Sequence, residues 1–229
     1  MKLEVFSGEF LSALVAIVMI DIVLAGDNAI LIGLAAKNVP KAQQKKVVIW
    51  GTIGAVGVRA VLTLVVVYLL EVPGLRLIGG LLLILIAFKL LTENKSHGDM
   101  SGVESFWKAI QTIIIADVLM GLDNVLAVAG AAQGDFRLVL IGLLVSIPIV
   151  VWGSTLILKW IDRFPSIVTF GSAILAWTAS KMIVHEEFIE RNIANIMNVY
   201  VFEFIVVSIV VGTGLVVKRN RNAVRSTAE

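Results

Sequence analysis

The chain has no cysteine, only two histidines and only four prolines in 229 residues, and just 16% of its residues are charged. The lack of cysteine excludes disulfides and every thiolate metal site, and it leaves the redox compartment undetermined. The shortage of charge excludes a water-soluble composition. A soluble domain carries roughly 25% charged residues, whereas here 59% of residues are apolar and the mean hydropathy is +0.97. The 19 basic and 17 acidic residues nearly cancel, so no basic patch is available to track phosphates and nucleic acid is not an expected partner. Long polar stretches are missing as well. Seven helices of about 20 apolar residues each take about 140 positions and leave about 90, too few for a separate soluble domain. These absences disfavour a cytoplasmic enzyme, a secreted protein and a disordered scaffold.

What remains is a set of apolar runs at about 11–36, 47–70, 73–91, 106–132, 137–158, 165–184 and 197–217. Each is long enough to cross a bilayer as a helix, and the connections are short and polar. The expectation is an all-α, polytopic membrane protein forming one transmembrane domain over residues 1–229. Glu4 and Glu9 stand where a cleavable signal would be net positive, and no small-x-small site follows, so the first run reads as a permanent span. Lys and Arg number thirteen on one set of alternate connections and five on the other. That bias puts the N-terminus outside and the C-terminus in the cytoplasm of a plasma-membrane protein. Trp50, Trp107 and Trp160 fall at the inner ends of spans, the headgroup level an indole prefers. The tail Lys218-Arg219-Asn220-Arg221 reads as an anchor drawn to anionic lipid.

The chain also repeats itself. A shift of 96 residues lays Asp21-Ile-Val-Leu-Ala-Gly-Asp27-Asn28 on Asp117-Val-Leu-Met-Gly-Leu-Asp123-Asn124, and a shift of 92 lays Gly79 on Gly171 and Lys89 on Lys181. Each copy holds three spans, an odd number, so the second copy must enter the bilayer upside down. The expected architecture is a 3+3 inverted repeat (about 11–91 and 106–184) with span 7 (about 197–217) added, an arrangement that builds one central site with access from either side.

Four carboxylates within two apolar helices need a physical reason. An aspartate at a helix centre opposes insertion by about 2.5–3.5 kcal/mol, so Asp21, Asp27, Asp117 and Asp123 together oppose it by an amount on the order of 10 kcal/mol. In an unbroken helix Asp21 and Asn28 share a face, while Asp27 lies about 100° round. All three converge only where the helix unwinds, and Gly26 and Gly121 are the expected breaks. Carboxylates, amide oxygens and freed carbonyls are hard donors suited to Mn²⁺, Mg²⁺ or Ca²⁺ and unsuited to Zn²⁺ or Cu⁺. Met19, Met120 and Met182 read as packing residues.

Two copies of Asp-x-x-(Leu/Met)-x-x-Asp-Asn, in spans 1 and 4 of a seven-span chain, resemble the TerC family of integral membrane proteins over about Leu11 to Val217. That resemblance implies manganese efflux and metal homeostasis, with Asp21, Asp27, Asn28, Asp117, Asp123 and Asn124 forming the ion pathway. The expected function is therefore a secondary transporter that exports a divalent cation, Mn²⁺ by resemblance, by alternating access, with proton antiport as the coupling. No enzyme activity and no organic cofactor are expected; the partners are the metal ion and the bilayer, with room for a homo-oligomer. Two alternatives stay open: an exporter of amino acids or organic cations, and a membrane partner that supplies metal to secreted proteins or regulates another transporter. An intramembrane aspartyl protease is disfavoured by its different motif context.

Weaker signals complete the reading. Arg59, near mid-depth in span 2, is expected to act as a counter-ion or gate, and Glu203 in span 7 is a candidate for proton coupling. Gly51, Gly54 and Gly57 have the wrong spacing for a phosphate loop and read as helix packing. Pro148 should kink span 5. His185, Glu186, Glu187 and Glu190, like His97 and Asp99, read as solvated loop residues.

Overall fold

The computed structural model describes residues 7–70, 74–93, 102–132, 135–186, 188–189 and 198–226, without the side chains of residues 22–25, 66–70, 102–104, 122–123, 126, 129 and 221–226. His97, Asp99, Glu187 and Glu190, and the side chain of Asp123, lie outside the described residues. Among the described residues seven long helices run in order: α1 (Gly8–Ala36), α2 (Lys41–Leu70), α3 (Leu75–Thr92), α4 (Gly102–Ala132), α5 (Phe136–Arg163), α6 (Ser166–Val184) and α7 (Val199–Ser226). The protein is all-helical among the described residues, with no strand.

Several helices outrun the apolar segments that mark them. α2 begins six residues before its apolar run, and α7 continues past Lys218 to Ser226. Hydropathy reports where lipid begins, whereas backbone hydrogen bonding continues into the polar interface. Ser7 caps α1 by accepting from Phe10 N at 3.1 Å, and Asp135 caps α5 by accepting from Arg137 N at 3.0 Å; both satisfy N–H groups left free in a first turn. Five helices are long and apolar enough to cross a bilayer, and α1 makes six when its two bent halves count as one. α4, at the fourth expected span, is 31 residues long but stands outside that set; it carries Lys108 and Asp117.

The expected unwinding at Gly26 and Gly121 is replaced by a milder deformation. Helical structure continues through both glycines, and α1 bends by 45° between Gly8–Asp21 and Gly26–Ala36. A bend keeps the i→i−4 ladder largely intact, so few backbone groups are exposed in lipid. α5 likewise runs through Pro148 as one helix.

α1 packs on α5 and α4, α2 packs on α4 and α5, and α3 packs on α6, while α7 lies against α6 and α3. Glycine lets these backbones approach. A Cβ on Gly142 of α5 would stand 2.4 Å from Ile17 Cγ2 of α1, and a Cβ on Gly51 of α2 would stand 2.6 Å from Ile113 Cδ1 of α4. Ile17 and Ile113 are separated by the same 96 residues as the two acidic motifs. Gly54 meets Ile114 in the same way, whereas a Cβ on Gly57 would meet nothing within 4 Å among the described residues.

Glu186 corrects the reading of its loop as solvated. It is buried, with Oε1 accepting from Gly74 N at 2.8 Å, and Arg76 Nη1 donates to the His185 carbonyl at 3.0 Å. The free N–H groups at the start of α3 supply the partner that makes this burial favourable. At the other end of α3, buried Lys37 donates to the Leu90 carbonyl at 2.5 Å, tying α1 to α3.

Gly142→Ala should lower stability by about 1–3 kcal/mol through overpacking against Ile17. Gly57→Ala, in open space, should leave it unchanged or slightly raised. Thermal unfolding of the detergent-purified protein distinguishes the two, and equal melting temperatures would show that the α1–α5 notch is not tightly filled.

Candidate ion site

Where the central helices meet, they enclose a cavity of about 20 Å³, the scale at which roughly 10–15 Å³ admits one water. Asp21, Asn28 and Ile32 of α1 line it with Asp117 of α4, Thr52, Ala55, Val56 and Arg59 of α2, and Leu143, Ser146 and Val150 of α5. Seven residues separate Asp21 from Asn28, so the continuous helix presents both to the same side.

The polar lining is almost wholly withdrawn from solvent. Asp21 is 2% exposed, Asn28 3%, Asp117 5% and Arg59 7%. Arg59 Nη2 donates to Asp117 Oδ1 in a charge-assisted hydrogen bond, and its Nη1 lies 3.9 Å from Asp21 Oδ1. Ser146 Oγ stands 2.7 Å from Asp21 Oδ2 and 2.8 Å from the Gly142 carbonyl. Thr52 donates to the Val48 carbonyl one turn back on its own helix at 2.7 Å. Asp21 Oδ1, Asn28 Oδ1 and Asp117 Oδ2 are buried without a hydrogen bond, as is Arg59 Nε. Since buried polar atoms are nearly always partnered, three free oxygens around one small cavity form an acceptor set suited to a cation.

Of the six residues expected in the ion pathway, Asp21, Asn28 and Asp117 come together here. Asp27 does not: it is half-buried, its Oδ1 accepts from Asn28 N at 3.0 Å, and it is absent from the lining. The reason is the uninterrupted helix, which leaves it about 100° from Asn28. Asn124 is half-buried and also absent from the lining. No cluster of three or more His, Cys, Asp or Glu suited to a metal occurs among the described residues; the acceptor set holds two acids and an amide. Glu203 is buried between α6 and α7, where Trp177 Nε1 donates to it at 2.7 Å, outside the cavity lining.

Sequence reasoning missed Ser146 and Thr52. The available signal was a hydroxyl at mid-depth in span 5 two residues before Pro148, but hydroxyls in apolar helices ordinarily bond their own backbone, as Ser154 and Thr155 do here.

The family described as integral membrane protein TerC matches residues 6–222. Membrane protein YjbE of Bacillus subtilis, described as uncharacterized, is 44% identical over 179 residues, covering 78% of this chain and 82% of that protein. A second Bacillus subtilis membrane protein described as uncharacterized, YkoY, is 22% identical over 75% of this chain and 59% of its own length. The UPF0053 inner membrane protein YgdQ of Escherichia coli is 24% identical over 71% of this chain and 76% of its own length. No solved structure matches the chain.

Ser146→Ala removes the hydroxyl beside a buried carboxylate and should lower stability by about 1–3 kcal/mol. Ser154→Ala, whose hydroxyl bonds only the Val150 carbonyl, should cost less. Denaturant unfolding in detergent measures both, and the reverse ranking would show that Ser146 does not support Asp21.

Proposed function

Since the chain belongs to the TerC family of integral membrane proteins, we propose that it is a secondary transporter exporting a divalent cation, with Mn²⁺ as the cargo. The observation that carries this reading is the acceptor set: Asp21 Oδ1, Asn28 Oδ1 and Asp117 Oδ2, all buried and free of hydrogen bonds at one cavity. Oxygen donors of this kind favour hard divalent ions. The cavity's size of about 20 Å³ suits an ion or a water and argues against an amino-acid cargo in this conformation.

The expected architecture belongs to the same proposal. Seven spans would be arranged as a 3+3 inverted repeat in which α1, α2 and α3 correspond to α4, α5 and α6. Two features support it. Exchanging the halves turns the α1–α5 contact into the α4–α2 contact, and both are extensive. It also carries the Ile17–Gly142 notch onto Ile113–Gly51. Two halves of opposite orientation packed around a shared site are suited to alternating access, with the cavity opening first to the cytoplasm and then outward. The Lys and Arg bias supports a plasma-membrane orientation with the N-terminus outside, and the exposed Trp50, Trp107 and Trp160 fit an aromatic belt at its inner face. A proton gradient is the proposed driving force: the motifs hold more carboxylates than one arginine can pair, and those left over, Asp27 and Asp123, can take up protons as the metal leaves. Asp27, Asp123 and Asn124, away from or outside the described cavity, are proposed to handle the ion on its way in or out.

Purified protein in liposomes should move Mn²⁺ across the membrane, followed by a metal-quenched dye inside and a pH-sensitive reporter beside it. Asp21→Asn and Asp117→Asn should each reduce the flux to that of protein-free vesicles, while reconstituted protein levels stay unchanged. Wild-type rates in both variants would defeat the proposal, as would no flux above protein-free vesicles.

A further inference from the structure

Resting on the cation-transport reading, we propose that Arg59 is a tethered substitute for the cargo: its guanidinium occupies the carboxylates of Asp21 and Asp117 when no ion is carried, and must leave for one to bind. The carboxylates concerned are shared, with Arg59 on Oδ1 of Asp117 and the unpartnered acceptor on its Oδ2. Asp117 Oδ1 accepts from Arg59 Nη2 and Asp21 Oδ1 lies 3.9 Å from Nη1, so both carboxylates that would hold a divalent ion already face a permanent positive charge. A second cation at the same carboxylates would meet that charge at close range in a site of low dielectric.

A carrier working by alternating access must also return without cargo. Two ionised carboxylates crossing that step bare would be buried without compensation, which is strongly unfavourable inside a membrane. Arg59 removes that obstacle because it stays attached to the protein and cannot be carried across with the ion. Its Nε makes no hydrogen bond, so the contacts to be broken on withdrawal lie at the Nη end of the guanidinium.

The substitute is also one-sided. In the register that lays Gly51 on Gly142, Ala55 falls on Ser146 and Arg59 falls on Val150, and all four of these later positions line the cavity. A scaffold with matching positions in both halves thus carries its cation in one half only. Arg59 therefore makes the two halves unequal at the centre, and it would bias the step that resets the carrier rather than the step that carries the ion.

Three readouts on one reconstituted preparation separate this role from a merely structural one: equilibrium Mn²⁺ binding, net Mn²⁺ flux, and exchange of radiolabelled Mn²⁺ between equal concentrations on the two sides. Arg59→Gln removes the competitor, so Mn²⁺ should bind about tenfold more tightly if the arginine holds the site about nine-tenths of the time. Net flux should fall by a similar factor, because the unloaded return is obstructed, while exchange, which never uses that return, is retained. Unchanged or weaker binding, or loss of exchange together with net flux, would overturn the inference. Should Arg59→Gln fail to assemble, Arg59→Lys asks the same question with a point charge that cannot fork two carboxylates. It should bind Mn²⁺ more tightly and run net flux more slowly than wild type with exchange kept, and wild-type binding and flux would overturn the proposal. A wild-type protein that neither binds nor moves Mn²⁺ removes the transport reading itself, an outcome distinct from either variant result.

Discussion

A single buried arginine between two carboxylates from different helices is the constraint on which the centre of this protein depends. Asp21 on α1 and Asp117 on α4 each oppose insertion into lipid, and Arg59 on α2 offsets part of that opposition for both at once. The arrangement requires three helices to meet within reach of one guanidinium. The glycine notches make that meeting possible: Gly142 admits Ile17, and Gly51 admits Ile113, so α1–α5 and α2–α4 close around the charged centre. Buried ion pairs are weak sources of net stability. The one retained here leaves three side-chain oxygens unpartnered beside it, more than a pair kept for packing needs.

The periphery serves that centre. Glu186 on the start of α3 and Lys37 on its end fix this outer helix to α6 and α1, and α7 is joined to α6 through Glu203 and Trp177. These contacts give buried charged groups hydrogen-bond partners away from the central cavity, whose lining they do not enter. The polar side chains of the cavity are lined by apolar ones such as Ile32, Val56 and Leu143, which lower the local dielectric and strengthen the electrostatic interactions inside it.

Much of this was legible in the sequence, for reasons that can be named. The all-helical class followed from long apolar runs, since a segment in lipid must satisfy its backbone internally. Asp21, Asn28, Asp117 and Arg59 could be singled out because polar groups in apolar helices demand a purpose, and the seven-residue interval predicted that Asp21 and Asn28 share a face. Asp27 stands outside the cavity lining because joining Asn28 there needed an unwound helix, whereas α1 bends by 45° and stays helical. The sequence marks Ser146 as a hydroxyl at mid-depth in span 5 but not as a partner of Asp21. Its importance comes from the packing of α5 on α1, which brings it to Asp21 across 125 residues, and no local pattern encodes a neighbour that distant. Glu186 was hidden for the same reason, its partners being the first N–H groups of α3.

Anomalous diffraction from crystals grown with Mn²⁺ tests the central claim most directly, because it locates the ion and the arginine together. The account predicts one manganese peak within coordination distance of the side-chain oxygens of Asp21, Asn28 and Asp117, with the Arg59 guanidinium displaced from Asp117. A manganese peak elsewhere in the protein, or one at this cavity with Arg59 still bonded to Asp117, would contradict it.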